Sequence, residues 1–474
     1  MRVIICGAGR VGQGIAERLS LEHDVTMIDE DAALLERVST RLDVRVVTGH
    51  AAHPSILAEA GAENTEMIIA VTQMDEVNMV TCQVAHALFK VTTKIARIRS
   101  QAYTSPVYSN LFTRDNLPVD MYISPEAEVS ESILQGLLTP GAFLSAELGM
   151  MEGQKEGLVR LLGVEITDRS SAMADQRLEE VHALVPESGA RIVGIGRDKR
   201  LFAPKEDLKM MVGDRVYWVI PTDRVHHLFE ILNLTEDLSR HVVIVGGGHI
   251  GLNVAKQLEL PLKKGSKRSG DRVKSSVRVR LIEKDTKTAE RAAEALERAI
   301  VLHGDGLNPN LLEEAGVSEA DLVVGLTNDD KTNLLLGALS KNIGAKKVIS
   351  LVNEPDLANI RSNVGIDVLI DPRSITVSKI LLKLRQGRLS NLKTLENGAA
   401  EVVEGVVKET AQLVGMSLVD GELPEGIKAG ALIRDGVPID LSERVKVQDT
   451  VVLFSEKDMS RKVDLLFRVK LDYY

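Results

Sequence analysis

Residues 7–12 read Gly7-Ala8-Gly9-Arg10-Val11-Gly12, and they directly follow an apolar run, residues 3–6, that is rich in β-branched side chains. The same order returns in the middle of the chain, where the apolar run of residues 242–245 leads into Gly246-Gly247-Gly248-His249-Ile250-Gly251. Each glycine stretch is followed by a segment whose apolar residues recur at helical spacing. A strand, a glycine loop and a helix in this order are the context that a dinucleotide-binding motif requires.

The repeat continues well beyond the glycine loops. The acid that ends the next apolar run is Asp29 in the first half and Glu283 in the second. Further pairs follow in the same order: Gly49-His50 with Gly304-Asp305, Pro54 with Pro309, Thr72 with Thr327, Asp75 with Asp330 and Asn78 with Asn333. Ordered matches over this length indicate that a whole domain was duplicated. Residues 120–125 also resemble residues 367–372, and we expect an amphipathic helix after each.

The residue types of the repeated motif suit a bound nucleotide. Gly7 permits a tight turn after the strand, Gly9 lets the backbone approach a pyrophosphate, and Gly12 allows the helix to pack closely. The amides at the start of the helix then hold the phosphates. Asp29 and Glu283 stand where a carboxylate accepts hydrogen bonds from both ribose hydroxyls. Because a 2′-phosphate would meet a like charge there, we expect NAD(H), or another adenosine nucleotide with free hydroxyls, rather than NADP(H).

The chain divides into four consecutive pieces in an A-B-A-B order. In the first piece, strand signals near residues 2–6, 24–28, 44–47, 66–71 and 94–98 alternate with helical segments, which predicts a doubly wound parallel sheet. The second piece has β-branched runs broken by turns, which is typical of a small α+β domain. We therefore expect an α/β fold with two Rossmann-like domains, each followed by a small α+β domain, at residues 1–138, 139–235, 239–392 and 393–474.

One segment breaks the symmetry between the halves. Residues 263–278 carry many lysines and arginines against a lone Asp271, where the first copy passes directly from helix to strand. We expect a solvated insertion, and contact with an anionic lipid or an acidic partner is the alternative.

Composition limits the class of protein. A chain of 474 residues with a net charge of −10 has no global basic field, which argues against binding to nucleic acid. Cys6 and Cys82 are the only cysteines, so we expect no disulfide framework and a reducing compartment. The first predicted strand begins at Arg2, and no apolar run approaches the roughly 20 residues that span a bilayer. We expect neither a signal peptide nor a membrane segment.

Several further stretches, taken together, point to a known family. They are Val46-Val47-Thr48-Gly49-His50, Ala70-Val71-Thr72, Asp75-Glu76-Val77-Asn78-Met79 and Ile95-Ala96-Arg97-Ile98-Arg99. With the glycine loops, they resemble the TrkA family, the peripheral nucleotide-binding subunits of bacterial Trk potassium uptake systems, which carry paired conductance-regulating (RCK) domains. The resemblance implies a regulator and not an enzyme. It also implies NAD(H) or ATP/ADP as ligands, a potassium-translocating membrane subunit as partner at the cytoplasmic face of the membrane, and a tetramer that completes a ring of eight RCK units.

The resemblance also implies the nucleotide contacts of each half. In the first half they are Gly7 to Gly12, Asp29, His50, Thr72 and Arg97, and in the second half they are Gly246 to Gly251, Glu283, Asp305 and Thr327. Since Arg97 aligns near Ser350, we hypothesise that an arginine neutralises a ligand phosphate in the first site alone.

The same residues allow other interpretations. His50 and His53 form an H-x-x-H pair, but no third ligand stands nearby in the sequence, so we predict no metal site. A nicotinamide-dependent oxidoreductase would share the fold, yet no Tyr-x-x-x-Lys pair or other proton-transfer group stands out. A stand-alone nucleotide sensor, or a regulator of another cation channel, remains an alternative to the Trk regulator.

Overall fold

The computed structural model describes most of the chain, and its residues fold into two compact units. The first unit comprises Met1–Glu128 with Pro372–Ile380, and the second comprises Val129–Asp371 with Leu381–Tyr474. The described residues are 1–108, 110–139, 141–150, 156–168, 171–185, 189–198, 200–234, 241–260, 277–354, 357, 364–384, 389–419 and 421–468. Most of the basic insertion expected at 263–278, namely residues 263–276, therefore lies outside the described residues.

The first unit is built on a parallel sheet with helices on its faces. Its elements, with α6 continuing into the second unit, are β1 (Arg2–Cys6), α1 (Arg10–Leu19), β2 (Asp24–Asp29), α2 (Ala32–Ser39), β3 (Arg45–Thr48), α3 (Pro54–Glu59), β4 (Met67–Ala70), α4 (Asp75–Phe89), β5 (Thr93–Arg97), α5 (Gln101–Thr104), β6 (Met121–Ile123) and α6 (Pro125–Leu138). The strand order is β3-β2-β1-β4-β5-β6, and each pairing is parallel. This is the doubly wound order of dinucleotide-binding folds, and the predicted parallel sheet is confirmed.

The burial of the central strands explains why this sheet forms. All of β4 and all of β1 after Arg2 are buried, as expected for strands that helices cover on both faces. Cys6, the last residue of β1, and Cys82 of α4 lie in the core between this sheet and its helices as free thiols. Burial raises the pKa of Cys82 to about 12, so this thiol stays protonated. Both cysteines act as small apolar core residues.

A small antiparallel sheet follows in the second unit. Its elements are β7 (Leu144–Leu148), β8 (Val159–Glu165), α7 (Leu178–Leu184), β9 (Arg191–Arg197), β10 (Arg200–Phe202), β11 (Arg215–Pro221) and α8 (Val225–Ile231). The strand order is β10-β9-β11-β8-β7. Trp218 on the central strand is fully buried and packs in the core of this domain. The predicted α+β character of this piece is confirmed.

The second half repeats both architectures. The elements of its parallel sheet are β12 (His241–Val245), α9 (His249–Glu259), β13 (Arg278–Glu283), α10 (Thr286–Ala295), β14 (Ile300–His303), α11 (Pro309–Glu314), β15 (Leu322–Gly325), α12 (Asp330–Ile343), β16 (Lys347–Leu351), β17 (Val368–Ile370) and α13 (Pro372–Leu384). Its strand order, β14-β13-β12-β15-β16-β17, matches the first sheet position by position. The final elements are β18 (Asn391–Leu395), β19 (Ala400–Val406), β20 (Ile427–Arg434), β21 (Val437–Ile439), β22 (Thr450–Glu456) and α14 (Ser460–Phe467).

Each of the two small domains contains an equivalent ion pair with a buried carboxylate. In the first, Arg197 binds both carboxylate oxygens of Asp214, at 2.7 and 2.6 Å. In the second, Arg434 binds Asp449 in the same way, at 3.0 and 2.9 Å. Both carboxylates are nearly fully buried and stand just before the central strands β11 and β22. A bidentate pair of this kind fixes the geometry of the hairpin against the central strand.

The two small sheets pack against each other within the second unit. Their shared apolar cluster joins residues of β8, β9 and β11 to residues of β19, β20 and β22. The contact is close, because a Cβ added to Gly194 would lie 2.5 Å from the ring of Phe454, and one added to Gly430 would lie 2.7 Å from Val219. Glycine at these positions therefore sets the distance between the sheets.

Candidate nucleotide-binding sites

Each glycine loop lies at the carboxyl edge of its parallel sheet, beside the point where the strand order reverses. The first loop joins β1 to α1, and β1 is flanked by β2 and β4. The second joins β12 to α9, and β12 is flanked by β13 and β15. In open α/β sheets, ligands bind in the crevice at this reversal.

The backbone of the first loop requires glycine at two positions and leaves open space at a third. Gly7 has a φ of 104°, and a Cβ there would lie 2.9 Å from the carbonyl oxygen of Val71. A Cβ on Gly12 would collide with the carbonyl oxygen of Gly7. A Cβ on Gly9, in contrast, would meet no atom within 4 Å. Gly246, Gly251 and Gly248 repeat these three environments in the second loop.

The start of each following helix is open to an anion. Gly9 is the N-cap of α1, Gly248 is the N-cap of α9, and neither helix has a side-chain cap. First-turn amides have no partner within a helix, and the helix dipole adds positive potential at this end. Arg10 and His249, the first residues of the two helices, are both exposed. The geometry is that of a phosphate-binding loop.

The acid at the end of the second strand holds the loop in both copies. Asp29 accepts a hydrogen bond of 2.6 Å from the amide of Ala8, and Glu283 accepts one of 2.6 Å from the amide of Gly247. The other oxygen of each carboxylate accepts an amide two residues further along the chain, at 3.0 and 2.8 Å. An ionised carboxylate has about four acceptor positions, so each acid keeps capacity for ribose hydroxyls.

The residue bonded to each acid is matched to it in size. In the first copy a short acid, Asp29, faces Ala8, whereas in the second a longer acid, Glu283, faces Gly247. A Cβ on Gly247 would lie 3.2 Å from Cβ and Cγ of Glu283 and 3.1 Å from Cδ2 of Leu281. The larger acid and the missing methyl group therefore compensate each other.

Thr72 and Thr327 lie against the glycine loops, where an asparagine fixes their backbone. The amide and the hydroxyl of Thr72 both donate to Oδ1 of Asn78, at 2.9 and 2.7 Å. The Asn78 amide group donates to the carbonyl of Arg97 at 2.9 Å, which ties the end of β5 to this loop. Asn333 binds Thr327 and the carbonyl of Leu351 in the same way.

The predicted site residues therefore omitted Asn78 and Asn333. Both were visible in the sequence as a repeated pair, but their partners are distant in the chain. Asp75 and Asp330 belong to the same set, since each is buried and accepts backbone amides beyond the end of β5 or β16. These four side chains fix the backbone around the crevice and do not present charge to it.

His50 and Asp305 occupy equivalent loop positions with different chemistry. His50 accepts the amide of Ala52 at 3.3 Å and stacks on His53 with ring centroids 4.6 Å apart. Asp305 pairs with Lys284 at 2.9 Å, and this hydrogen bond lowers the pKa of Asp305 below its usual value. The two equivalent loop positions therefore differ in chemistry, with an imidazole in the first half and an ion pair in the second.

Arg97 is enclosed in the first unit and already faces an acid. Its guanidinium lies 3.4 Å from Glu126, and its side chain is largely buried. Burial lowers the pKa of Arg97, Arg99 lowers it further, and Glu126 opposes both effects. In the second half, the position equivalent to Arg97 is Leu351. Ala96 pairs with the last residue of β4, and Ser350 pairs with the last residue of β15, so the residues that follow them are equivalent. Leu351 directly follows Ser350, in agreement with the predicted alignment near Ser350, and the second copy has no cation at this position.

Helix α13 of the second half contacts the nucleotide-loop helix of the first unit. A Cβ on Gly14 of α1 would lie 2.8 Å from Cδ of Arg373. The Arg373 guanidinium also lies 4.0 Å from Glu17, one turn further along α1. α1 and α13 are therefore in contact through the side chain of Arg373.

The described part of the chain contains neither a cluster suited to a metal ion nor a helix suited to a membrane. No cluster of three or more His, Cys, Asp or Glu side chains that could bind a metal occurs among them. In the same part of the chain, no helix combines the length and the hydrophobicity that crossing a bilayer requires.

Fold and site together define a duplicated Rossmann-type protein with RCK architecture. The TrkA-N domain matches residues 3–125 and 242–372, and the TrkA-C domain matches residues 161–233. The chain belongs to the TrkA family. The Trk system potassium uptake protein TrkA of Azorhizobium caulinodans is 41% identical over 477 residues and covers 100% of both chains. The proteins of the same name from Halomonas elongata and Vibrio alginolyticus are 35% and 34% identical, over at least 99% of each chain. These names describe a potassium uptake system and no enzyme.

Solved structures agree on the fold. The crystal structure of the GsuK RCK domain has a TM-score of 0.60 and 15% identity, and it covers 98% of this chain and 94% of its own. The GsuK channel bound to NAD gives a TM-score of 0.60 and 15% identity over 98% of this chain and 78% of that one.

Proposed function

We propose that the chain is a regulatory subunit that senses NAD(H), and ATP or ADP, at its two glycine loops and gates a Trk-type potassium-translocating membrane protein. The observation that supports this most is the bond between strand-end acid and loop amide, which forms twice at 2.6 Å. It places a carboxylate beside an open helix start, where the ribose and phosphates of a dinucleotide are held in Rossmann folds.

The site residues of the proposal are those that the sequence suggested. They are Gly7 to Gly12, Asp29, His50, Thr72 and Arg97 in the first half, and Gly246 to Gly251, Glu283, Asp305 and Thr327 in the second. The sites are unequal in this proposal. A ligand phosphate that reaches Arg97 would compete with Glu126 for the guanidinium, whereas Leu351 offers no such contact in the second half.

The proposal extends to assembly and location, which the family resemblance implies. The subunit works on the cytoplasmic face of the membrane, held there by its Trk partner, as a tetrameric ring of paired RCK units. The proposal divides the chain into domains at residues 1–138, 139–235, 239–392 and 393–474. A stand-alone nucleotide sensor or a regulator of another cation channel would use the same loops without this partner.

The proposed mechanism is a shift between two ring states. A nucleotide moves this equilibrium only if it binds one state more tightly than the other. A tenfold bias needs about 1.4 kcal/mol, which is within the range of one charge-assisted hydrogen bond. The contact of Arg373 with Gly14 and Glu17 gives the first loop helix a direct connection to α13.

Calorimetry on the purified full chain tests the binding half of the proposal. NADH, NAD, ATP and ADP are titrated into the wild type, Asp29→Asn and Glu283→Gln. Both variants keep an oxygen acceptor for the loop amide but lose the charge and the paired acceptors. We expect each to lose about 10- to 100-fold in affinity at its own site. Glu30→Gln is the matched control, because Glu30 is an exposed neighbouring acid.

Flux measurements test the gating half. A Trk-type membrane subunit is reconstituted in vesicles, and rubidium uptake is followed with and without this chain and each nucleotide. A nucleotide-dependent change that is lost in Asp29→Asn or Glu283→Gln supports the proposal. Tight nucleotide binding without any effect on flux would favour the stand-alone sensor, and no binding of any of the four nucleotides would end the proposal.

A further inference from the structure

A cavity of about 280 Å³ lies between the two small sheets of the second unit. Apolar side chains, including those of Val159, Val219, Pro221 and Leu441, line it together with the charged side chains of Arg191 and Asp440. None of the glycine-loop residues lines it. The nucleotide sites therefore leave this cavity unexplained.

The cavity occupies one of two equivalent corners of a pseudo-symmetric interface. Arg191 near the start of β9 pairs with Val219 of β11, and Lys428 near the start of β20 pairs with Phe454 of β22. β11 begins one residue after the buried Asp214, and β22 begins one residue after the buried Asp449. Val219 and Phe454 lie equally far along these two strands, so their strand partners Arg191 and Lys428 hold equivalent positions in the two domains.

The corner around Lys428 is closed by polar contacts between the domains. Its ammonium donates to the carbonyl of Pro204 at 3.1 Å and to Glu206 at 3.0 Å. Glu456, the last residue of β22, accepts the amide of Ala203 at 3.0 Å. Lys428 is accordingly buried, and its charge is compensated within the protein.

The corner around Arg191 lacks these partners. Pro221, the last residue of β11, stands where the other corner has Glu456, and Asp440 stands where the other corner has Ala203. Within the described residues, the Arg191 guanidinium has no hydrogen bond or ion pair at 4.0 Å or less. Asp440 accepts the amide of Ser442 at 2.8 Å. Bonds from Ser442 chiefly, and the nearby charge of Arg191 secondarily, lower the pKa of Asp440.

We propose that this cavity binds a small zwitterion of the α-amino-acid class with an apolar side chain. The ligand carboxylate pairs with Arg191, its ammonium pairs with Asp440, and its side chain packs against Val219, Pro221 and Leu441. A guanidinium is suited to a carboxylate because its donors form a planar fork. The volume is slightly below the roughly 300–1,000 Å³ of drug-sized pockets, which favours a small ligand over a nucleotide. The ligand carboxylate would take beside Arg191 the place that Glu206 has beside Lys428 at the other corner, and the ligand ammonium would compensate Asp440.

Saturation-transfer NMR and calorimetry on the full chain test the proposal with leucine as the probe. Two analogues separate its charges: 4-methylpentanoate lacks the ammonium, and 3-methylbutylamine lacks the carboxylate. We expect saturable binding of leucine and at least tenfold weaker binding of each analogue, since each leaves one charge unpaired. Arg191→Gln and Asp440→Asn are expected to reduce leucine affinity by a similar factor.

Arg200→Gln is the matched control, because it removes an exposed guanidinium from the same domain outside the cavity. Thermal unfolding and NADH titration of every variant check that the fold and the nucleotide sites are intact. No saturable leucine binding would overturn the proposal. Equal binding of 4-methylpentanoate would overturn the zwitterion class, and unchanged affinity in Arg191→Gln would overturn the assignment of the site. None of these outcomes bears on nucleotide sensing, so the two proposals fail separately.

Discussion

Because the loop residue and the acid are matched in size, we can predict how Gly247→Ala changes stability and nucleotide binding. The first half combines Ala8 with Asp29, and the second combines Gly247 with Glu283. A methyl group on residue 247 would lie 3.1 Å from Cδ2 of Leu281 and 3.2 Å from Cβ and Cγ of Glu283, closer than ordinary contact. We expect Gly247→Ala to destabilise the second loop and to weaken nucleotide binding there.

The size of the loss in stability depends on the atoms that the methyl group contacts. Overpacking by a methyl group costs about 1–3 kcal/mol when the neighbours cannot move. Here the neighbours are side chains that need to yield by only a few tenths of an ångström, so we expect about 1 kcal/mol. Glu283→Asp alone shortens the acid while residue 247 stays small, and we expect a loss of about 1.5–3 kcal/mol from the charge-assisted bond to the loop.

The double variant Gly247→Ala/Glu283→Asp recreates the pair found in the first half. If the two residues compensate each other, its loss should be smaller than the sum of the single losses by about 1 kcal/mol or more. The assay is the thermal midpoint of the ligand-free chain together with the NADH affinity of the second site. Strictly additive losses in both measurements would refute the size-matching argument, and the thermal midpoint tests it whether or not NADH is the ligand.

Three further predictions rest on single contacts. Gly9→Ala should leave the thermal midpoint unchanged but weaken nucleotide binding at least tenfold, whereas Gly12→Ala should lower the midpoint, because its Cβ collides with the loop backbone. Asp214→Asn, which uncouples the buried Arg197, should cost about 3–5 kcal/mol in a urea titration, and a loss below about 1 kcal/mol would contradict the buried-pair argument. Burial chiefly, with nearby arginines, lowers the pKa of His241, so the folded state binds fewer protons there than the unfolded state. Stability of the wild type should therefore fall as the pH drops through about 6.5 and below. The thermal midpoint of His241→Gln should depend less on pH over this range than the thermal midpoint of the wild type.

The elements of the parallel sheet could be predicted because their strands are continuous apolar runs. The predicted strands near residues 2–6 and 66–71 correspond to β1 and β4, and those near 24–28, 44–47 and 94–98 correspond to the strands beside them. The edge strand β6 was not predicted, because it has only three residues and Tyr122 in its centre is exposed. An edge strand buries one side only, so the hydrophobic pattern that marks central strands is weak there.

The candidate site could be predicted as far as its signals were local. The glycine loops and the two acids follow from strand, loop and helix in sequence, and the duplication supplies a second copy of each. Asn78 and Asp75 were visible only as repeated residues, because their partners lie at the end of β5, about 20 residues away. The cavity beside Arg191 gave no sequence signal at all, since its walls come from both halves of the chain.

The contrast between backbone contacts and charges explains why two similar sites should respond differently. The bonds that hold the backbone agree closely between the halves: 2.6 and 2.6 Å from acid to loop, and 2.9 and 2.8 Å from asparagine to strand end. The side chains at two of the predicted contact positions differ in kind: Arg97 against Leu351, and His50 against Asp305. Backbone contacts determine whether any dinucleotide fits the crevice, whereas charged side chains determine which nucleotide fits best. Because an equilibrium shifts only by the difference in affinity between its states, equal responses of the two halves would require those two side-chain differences to cancel.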